Sequence, residues 1–415
     1  MKHIEQKQKL WNLVEEHQHE LLSICSDLIR IPSVEQNGIE QIVNYVCNFL
    51  EKLDIPYNVL RPVDWTPCIV AELNGGDGAV ALLNGHDDVV SPGDTEKWLY
   101  PPFCGTITEK QILGRGASDM KCGVGIFLFI LKMIVENHLE PKGKIRLHIV
   151  HDEEKGGLKG SKWLAEHGYA SDVDFCIITE PTSYDYIEVG QKGRVRVTLK
   201  TKRKRSNGVE ENPIHSMVRI LTKIQEISKL EGEITEQERK IVLNSKKVIC
   251  HAMHRNDVGD AIDHVNVNIL DITEVGKEGE VPEECKAHLA FGVPFMITRT
   301  MIEEKLNEII RNAGAECEIE YECWQEGSRT DVDSALVQSV KENAEYITGR
   351  TMYPAYQWAT SDAKYYRALG IPAIHFGPSN NKGIHSYNED VEIVDILKCA
   401  KTHFAVLEDL MGFEM

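Results

Sequence analysis

No two of the eleven cysteines form a C-x-x-C pair, and their number is odd. A disulfide framework is therefore not expected; reduced, mostly buried thiols in a reducing compartment are. No apolar run is long enough to span a bilayer: the strongest, Gly123 to Val135, is short and interrupted by Lys132. The opening Met1-Lys2-His3-Ile4-Glu5-Gln6-Lys7 has no apolar signal core. A cytoplasmic location is the expectation. Positive charge is scarce, with 46 Lys and Arg against 65 Asp and Glu, a net charge of -19. Phosphate backbones and anionic membranes need a basic footprint, so neither nucleic acid nor membrane is an expected partner. Part of the negative charge is expected to be local and to await cations. Internal repeats and low-complexity linkers are also missing.

What remains is an ordinary globular composition, 42% hydrophobic and 27% charged, in 415 residues, enough for two domains with sizeable cores. Leu10 to Arg30 predicts one amphipathic helix, stopped at Ile31-Pro32, and Ile39 to Leu50 a second. Strands are expected at Ile69 to Leu73, Val80 to Leu83, Ile145 to Val150 and Phe175 to Thr179. They alternate with helices at Gly123 to Glu136 and Leu158 to His167. Such alternation implies an α/β layer with a mostly parallel sheet, whose sites gather at the carboxyl ends of strands. The pattern changes near Gly190. Arg194 to Lys200, Ile214 to Ile227, Val265 to Ile272, Cys285 to Phe291, Met301 to Asn312 and Cys317 to Tyr321 read as strand, helix, two strands, helix, strand. That is the order of a split βαβ, ferredoxin-like α+β domain. After about Gly327 the first pattern resumes. The expected division is a discontinuous domain of 1–190 and 326–415, with 191–325 inserted into it.

Chemistry-bearing residues stand where apolar strands end. His86-Asp87-Asp88 follows Ala79 to Leu83, and alternation puts His86 and Asp88 on one side and Asp87 on the other. A carboxylate beside an imidazole fixes a metal-binding tautomer. Asp119 lies in Gly114-Arg115-Gly116-Ala117-Ser118-Asp119-Met120-Lys121. Glu153-Glu154 ends one strand, Glu180 ends another, and His385 comes late in Gly383-Ile384-His385-Ser386. Two histidines and several carboxylates suit borderline divalent ions such as zinc.

These residues, with Leu28-Ile29-Arg30-Ile31-Pro32-Ser33, Trp98 with Pro101-Pro102-Phe103, His151-Asp152-Glu153-Glu154-Lys155-Gly156-Gly157, Thr179-Glu180-Pro181-Thr182, Thr360-Ser361-Asp362-Ala363 and Gly377-Pro378, occur in a telling order. Over nearly the whole chain it resembles the family of acetylornithine deacetylase, succinyl-diaminopimelate desuccinylase, aminoacylase-1 and several dipeptidases and carboxypeptidases. The resemblance implies a zinc-peptidase-like catalytic domain and two divalent ions, zinc by expectation with cobalt or manganese as alternatives. Asp119 would bridge the ions, His86 and Glu180 would hold one, and Glu154 and His385 the other. Asp88 would orient His86, and Glu153 would be the general base. The implied activity is removal of an N-acyl group from a small amine or amino acid. The alternatives are a dipeptidase or carboxypeptidase of the same family and, more remotely, a non-catalytic binding protein that kept the fold. Partners would be a small acylated amine or short peptide and a second copy of the chain, paired through the inserted domain.

The inserted segment departs from the family pattern. A His, an Asn and an Arg that hold a substrate carboxylate in relatives fall here at 201–206, Gly279 and Gly292. The expectation is an altered substrate grip, with little gain from an α-carboxylate, or a replacement by the cations Lys202 to Arg205. Crossings near Gly190 and Gly327 suit a hinge.

Overall fold

Val80–His86 is buried along its whole length, and both of its neighbours in the large sheet run parallel to it. In the computed structural model, which describes residues 3–34, 36–182, 186–206, 209–253 and 255–414, this sheet has a parallel centre. Its spatial order runs Tyr57–Leu60, Cys68–Asn74, Lys144–Val150, Val80–His86, Phe175–Pro181, Ala373–Gly377, Tyr186–Gln191. The four middle strands are parallel, and antiparallel pairs flank them. A parallel strand covered on both faces reads as a continuous apolar run, as Val80-Ala81-Leu82-Leu83 does. The carboxyl ends of the parallel strands share one rim.

The helix Cys122–Glu136 is apolar on nearly every side and packs against Gln18–Arg30, Ile393–Leu410 and the sheet. The single helix expected from Leu10 to Arg30 is instead two, Ile4–Glu16 and Gln18–Arg30, broken at His17. The two pieces address different partners. Trp11 donates its indole N–H to the carbonyl of Lys401 at 3.1 Å, and Lys7 pairs with Asp409 at 2.7 Å. Gln18–Arg30 turns Leu21, Cys25 and Leu28 inward and packs on Cys122–Glu136. One straight helix cannot serve both surfaces. The helix expected from Leu158 starts only at Ser161, because Asp152 takes the N–H of Lys159 at 2.6 Å and holds that stretch in a turn.

The chain divides into two compact units, Met1–Val189 with Thr330–Ala355 and Ser361–Met415, and Gly190–Arg329 with Tyr356–Thr360. Within the second, an antiparallel sheet is ordered Asn266–Val275, Glu284–Val293, Gly193–Lys202, Glu318–Gln325. Val195, Val197, Leu199, Leu289 and Phe291 alternate onto one face, where Met217, Ile220, Leu306 and Ile309 of the helices Pro213–Leu221 and Arg299–Asn312 cover them. This is the ferredoxin-like arrangement. Glu236–Met253 is a further helix, and Tyr356 joins this unit by donating its N–H to Ser245 at 2.7 Å. Among the described residues no helix is long and apolar enough to cross a membrane.

Candidate metal centre

At the common rim, strand ends and loops bring five of the sequence candidates together. His86 closes its strand and Glu180 stands near the end of the neighbouring parallel strand, so both reach the same edge. His86 Nε2 lies 3.1 Å from Asp119 Oδ1 and 3.6 Å from Glu180 Oε1. His385 Nε2 lies 3.1 Å from the other oxygen of Asp119, Oδ2, and 3.1 Å from Glu154 Oε2. In each group of three, the potential ligand atoms all lie within 4.8 Å of one another. Asp119 belongs to both groups and turns one oxygen to each histidine.

The loop carrying Asp119 is held from below. Glu389, fully buried, accepts the N–H groups of Gly116, Ser118 and Asp119 at 3.0–3.2 Å on one oxygen, and pairs with Arg115 on the other. Lys121 Nζ reaches the carbonyls of Leu28 at 3.0 Å and Ile31 at 2.5 Å, which ties the loop to the end of the helix Gln18–Arg30. Gly116, at φ +87°, sits where a Cβ would come 2.9 Å from Val89. The peptide between Asp119 and Met120 is cis. His385 is also in the left-handed region, at φ +54°, uncommon for a residue with a side chain.

Asp88 meets His86 mainly through its backbone. The Nδ1–H of His86 is donated to the backbone carbonyl of Asp88 at 2.9 Å, while the carboxylate stands 3.5 Å away. That carboxylate accepts the N–H groups of Glu153 and Glu154 at 3.3 and 3.2 Å. Asp88 thus fixes the ring of His86, leaving Nε2 toward Asp119, and fixes the turn bearing both glutamates. Those glutamates occupy a short 3-10 turn, Glu153–Lys155, not the last positions of the strand. Asp87 faces the other way and holds His151 Nδ1 at 2.6 Å.

The electrostatics are those of crowded negative charge. Burial alone would lower the pKa of His86, but Asp119, Asp88 and Glu180 outweigh it and raise it well above the usual range. Asp119 and Glu154 raise His385 to about 10. Burial alone would raise the Asp119 carboxyl, but the hydrogen bonds and charges of His385 and His86 outweigh it and hold it well below the ordinary carboxylate range. Burial, then the charge of Asp119, pushes Glu180 and Glu154 up. Burial, then Glu180, does the same to Glu153. Two imidazoles among Asp119, Glu153, Glu154 and Glu180 fit divalent ions. When ionised, the four carboxylates balance the charge of two such cations, and N and O donors are what borderline ions accept.

His375, the other histidine near this rim in sequence, does not join the groups. Its Nε2 is 2.7 Å from Ser361 Oγ and its Nδ1 2.8 Å from Glu188. Asp260, Asp263 and His264 form a third group, but Lys246 Nζ sits 3.2 and 2.9 Å from the two aspartates and already pairs with both. The cations at 202–204 are likewise engaged. Lys202 stands 3.6 Å from Glu318, Arg203 pairs with Glu210 and Glu283, and Lys204 pairs with Glu316. The side chain of Arg205 lies outside the described residues. Glu389 was not foreseen; its only sequence signal is its place four residues after His385.

A model of peptidase family M20/M25/M40 matches residues 82–409, and the chain belongs to that family. A succinyl-diaminopimelate desuccinylase of Psychromonas ingrahamii is 27% identical over 94% of this chain and 98% of its own. A probable succinyl-diaminopimelate desuccinylase of Staphylococcus aureus is 28% identical over 93% and 97%. Among solved structures, an M20 family metallo-carboxypeptidase from Sulfolobus solfataricus matches 94% of this chain and 99% of its own at TM-score 0.76 and 22% identity. A dinuclear metal-binding peptidase of the family from Bacillus subtilis matches 95% and 98% at TM-score 0.67 and 15% identity. The protein is a hydrolase of this peptidase family acting on amide bonds, with desuccinylases among its homologues.

Proposed function

We propose that the protein is a dinuclear deacylase that removes an N-acyl group from a small amine or amino-acid derivative. The observation that carries this reading is the sharing of Asp119, with one oxygen 3.1 Å from His86 and the other 3.1 Å from His385. Asp119 would bridge the two ions, His86 and Glu180 would complete one site, and Glu154 and His385 the other. Zinc suits these donors best, with cobalt or manganese as substitutes. When bound, the ions supply a lowered pKa for the attacking water and polarisation of the acyl carbonyl. Glu153 takes the proton of that water and delivers it to the leaving amine. Its raised pKa and its place beside the cluster, held through Asp88, support that role.

A dipeptidase or carboxypeptidase would use the same groups. The solved neighbours include such enzymes, but at 16–22% identity they speak for the fold alone. The desuccinylases, at 26–28% identity over nearly the full chain, favour the deacylase. A non-catalytic binder would have no need of Glu153. The inserted unit is read as the pairing surface of a homodimer. Asn266–Val275 is the outer strand of its sheet and exposes Ile269, Leu270, Ile272 and Val275. A cytoplasmic location remains the reading.

The deciding experiment is a panel of N-acetyl, N-formyl and N-succinyl amines and dipeptides, assayed after chelation and again with added zinc, cobalt or manganese. Restored cleavage of acyl amines supports the deacylase; cleavage of dipeptides alone moves the reading to a peptidase. Bound metal with no turnover of either class points to a binder.

A further inference from the structure

The sheet of the inserted unit is covered on one face only, and the open face carries a patch from which acidic side chains are missing. The helices Pro213–Leu221 and Arg299–Asn312 cover the face of Val195, Val197 and Phe291. Alternation turns Arg194 and Arg196 to the other face, where both are exposed. Register fixes their neighbours. Arg194 lies beside Gly292 and, beyond it, Asn266; Arg196 lies beside Ala290 and, beyond it, Asn268. Gln325 and Cys323 stand on the other flank. None of these positions holds an acid, in a chain with 65 Asp and Glu. Among the described residues neither arginine forms an ion pair. Glu322, the next acid along, already accepts the Thr198 hydroxyl and pairs with His288 at 3.3 Å. Farther along the same strand, by contrast, Lys200 and Lys202 are paired with Glu320 and Glu318.

Gly292 and Ala290 raise nothing larger than a methyl group between the arginines and the two asparagines, which leaves a shallow bay. Asn266 leans over its edge: a Cβ at Gly292 would meet that side chain at 3.4 Å. The amide is oriented from the buried side. Lys192, 2% exposed, donates its ammonium to Asn266 Oδ1 and to the carbonyls of Ala261 at 2.6 Å and His264 at 2.7 Å. With Oδ1 taken, the amide nitrogen of Asn266 remains as a donor, and it has no acceptor among the described residues. The three acceptors of Lys192 are all neutral, and Asp263 pairs instead with Lys246 at 2.9 Å. A buried ammonium without a carboxylate partner is costly, and a negative group in the bay relieves that cost.

We propose that this bay binds a phosphate dianion, free or as the exposed end of a larger molecule. Arg194, Arg196 and the amide of Asn266 offer donors from both sides of a glycine floor. Two guanidiniums and a buried ammonium, none with an acid partner, call for more than one negative charge. Arginines two residues apart on a strand stand about 7 Å apart, which lets both forks close on one tetrahedral group. The inference uses no residue of the metal centre and does not rest on the deacylase reading.

The test is calorimetric titration of inorganic phosphate into the full chain at constant ionic strength. It is run on metal-loaded and on chelated protein, so that phosphate held by metal ions is separated from phosphate in the bay. Chelated wild type should bind one phosphate saturably, and acetate at least about tenfold more weakly. Arg194→Gln should weaken phosphate about ten- to a hundredfold, the range of charge-assisted hydrogen bonds. Gly292→Val fills the floor without changing any charge and should abolish the binding. Lys202→Gln, on the same strand but already paired with Glu318, should leave it unchanged. Glycerol phosphate distinguishes the sources: equal affinity assigns the bay to the phosphate group alone, and tighter binding assigns it to an ester. No saturable phosphate binding in chelated wild type overturns the proposal. So does acetate binding as tightly as phosphate, or an affinity unchanged in Arg194→Gln and Gly292→Val.

Discussion

The two halves of the metal centre share Asp119 and differ in nearly everything around it. In the inner half the side chain of His86 is 1% exposed and its far nitrogen is clamped by a carbonyl. In the outer half the side chain of His385 is 49% exposed and rides on a loop in a left-handed conformation. One half is built like a core, the other like a loop. In the proposed centre the inner half would fix geometry, and the exposed outer half would leave an approach for substrate. Burial and exposure are thus divided across a single carboxylate.

The comparison breaks most completely at its shared member. Asp119→Ala should lose both ions and all measurable turnover, seen by elemental analysis beside the activity assay. One ion kept at full occupancy would show that the halves are independent. Next in size is the separation of base from ligand. Glu153→Ala should keep both metals and lose about two to four orders of magnitude in turnover, while Glu154→Ala should shed metal from the outer half. The reverse pattern would exchange the two roles. Chelation kinetics sharpen the difference itself: the wild type should release metal in a fast and a slow phase. His385→Ala should remove the fast phase and His86→Ala the slow one; a single phase in wild type would mean that the halves are equivalent.

Glu389→Gln reaches the centre from beneath. With the acceptor for three backbone N–H groups weakened, metal affinity should fall about ten- to a hundredfold, as for other groups that orient ligands without binding metal. Unchanged affinity would show that the loop holds itself. The smallest effect lies outside the centre. Burial lowers His148 and His403 to about 3, far below an unfolded histidine. Because the folded values are depressed, their stabilisation is present above about pH 6.5 and is lost as pH falls toward 3. At pH 5 that loss is about 2 kcal/mol for each histidine. Chemical denaturation of His148→Gln and His403→Gln between pH 7 and 5 should show a correspondingly flatter fall. An equal slope in wild type and variants would place the acid sensitivity elsewhere.

How much of this was legible depended on what preceded each residue. His86 and Glu180 follow buried parallel strands, whose unbroken apolar runs announce both the strand and the rim where it ends. Asp119 and His385 sit in glycine-containing loops, and their roles came from the resemblance. Glu389 was silent because a glutamate in a polar loop looks like a solvated surface residue; only the fold shows it buried against Arg115. Lys202 to Lys204 read as a cation cluster because three of their partners, Glu283, Glu316 and Glu318, are distant in sequence and meet them only through the sheet and its loops. The helix Glu236–Met253 escaped notice for a different reason: its sequence is largely polar, and Ile241, Val242 and Ile249 are too few to mark a face. The break at His17 left no glycine or proline as a sign, because tertiary partners impose it.

The place of Ala373–Gly377 bears on how the chain is made. This strand lies between Phe175–Pro181 and Tyr186–Gln191, which are separated from it by about half the sequence. A ribosome must therefore deliver nearly the entire polypeptide before the large sheet can close. The inserted unit, with its four-stranded sheet built from one continuous stretch, has no such wait. Synthesis should thus produce a folded insert first, carried between two unfinished parts of a sheet whose apolar edges stay open until the last strand arrives.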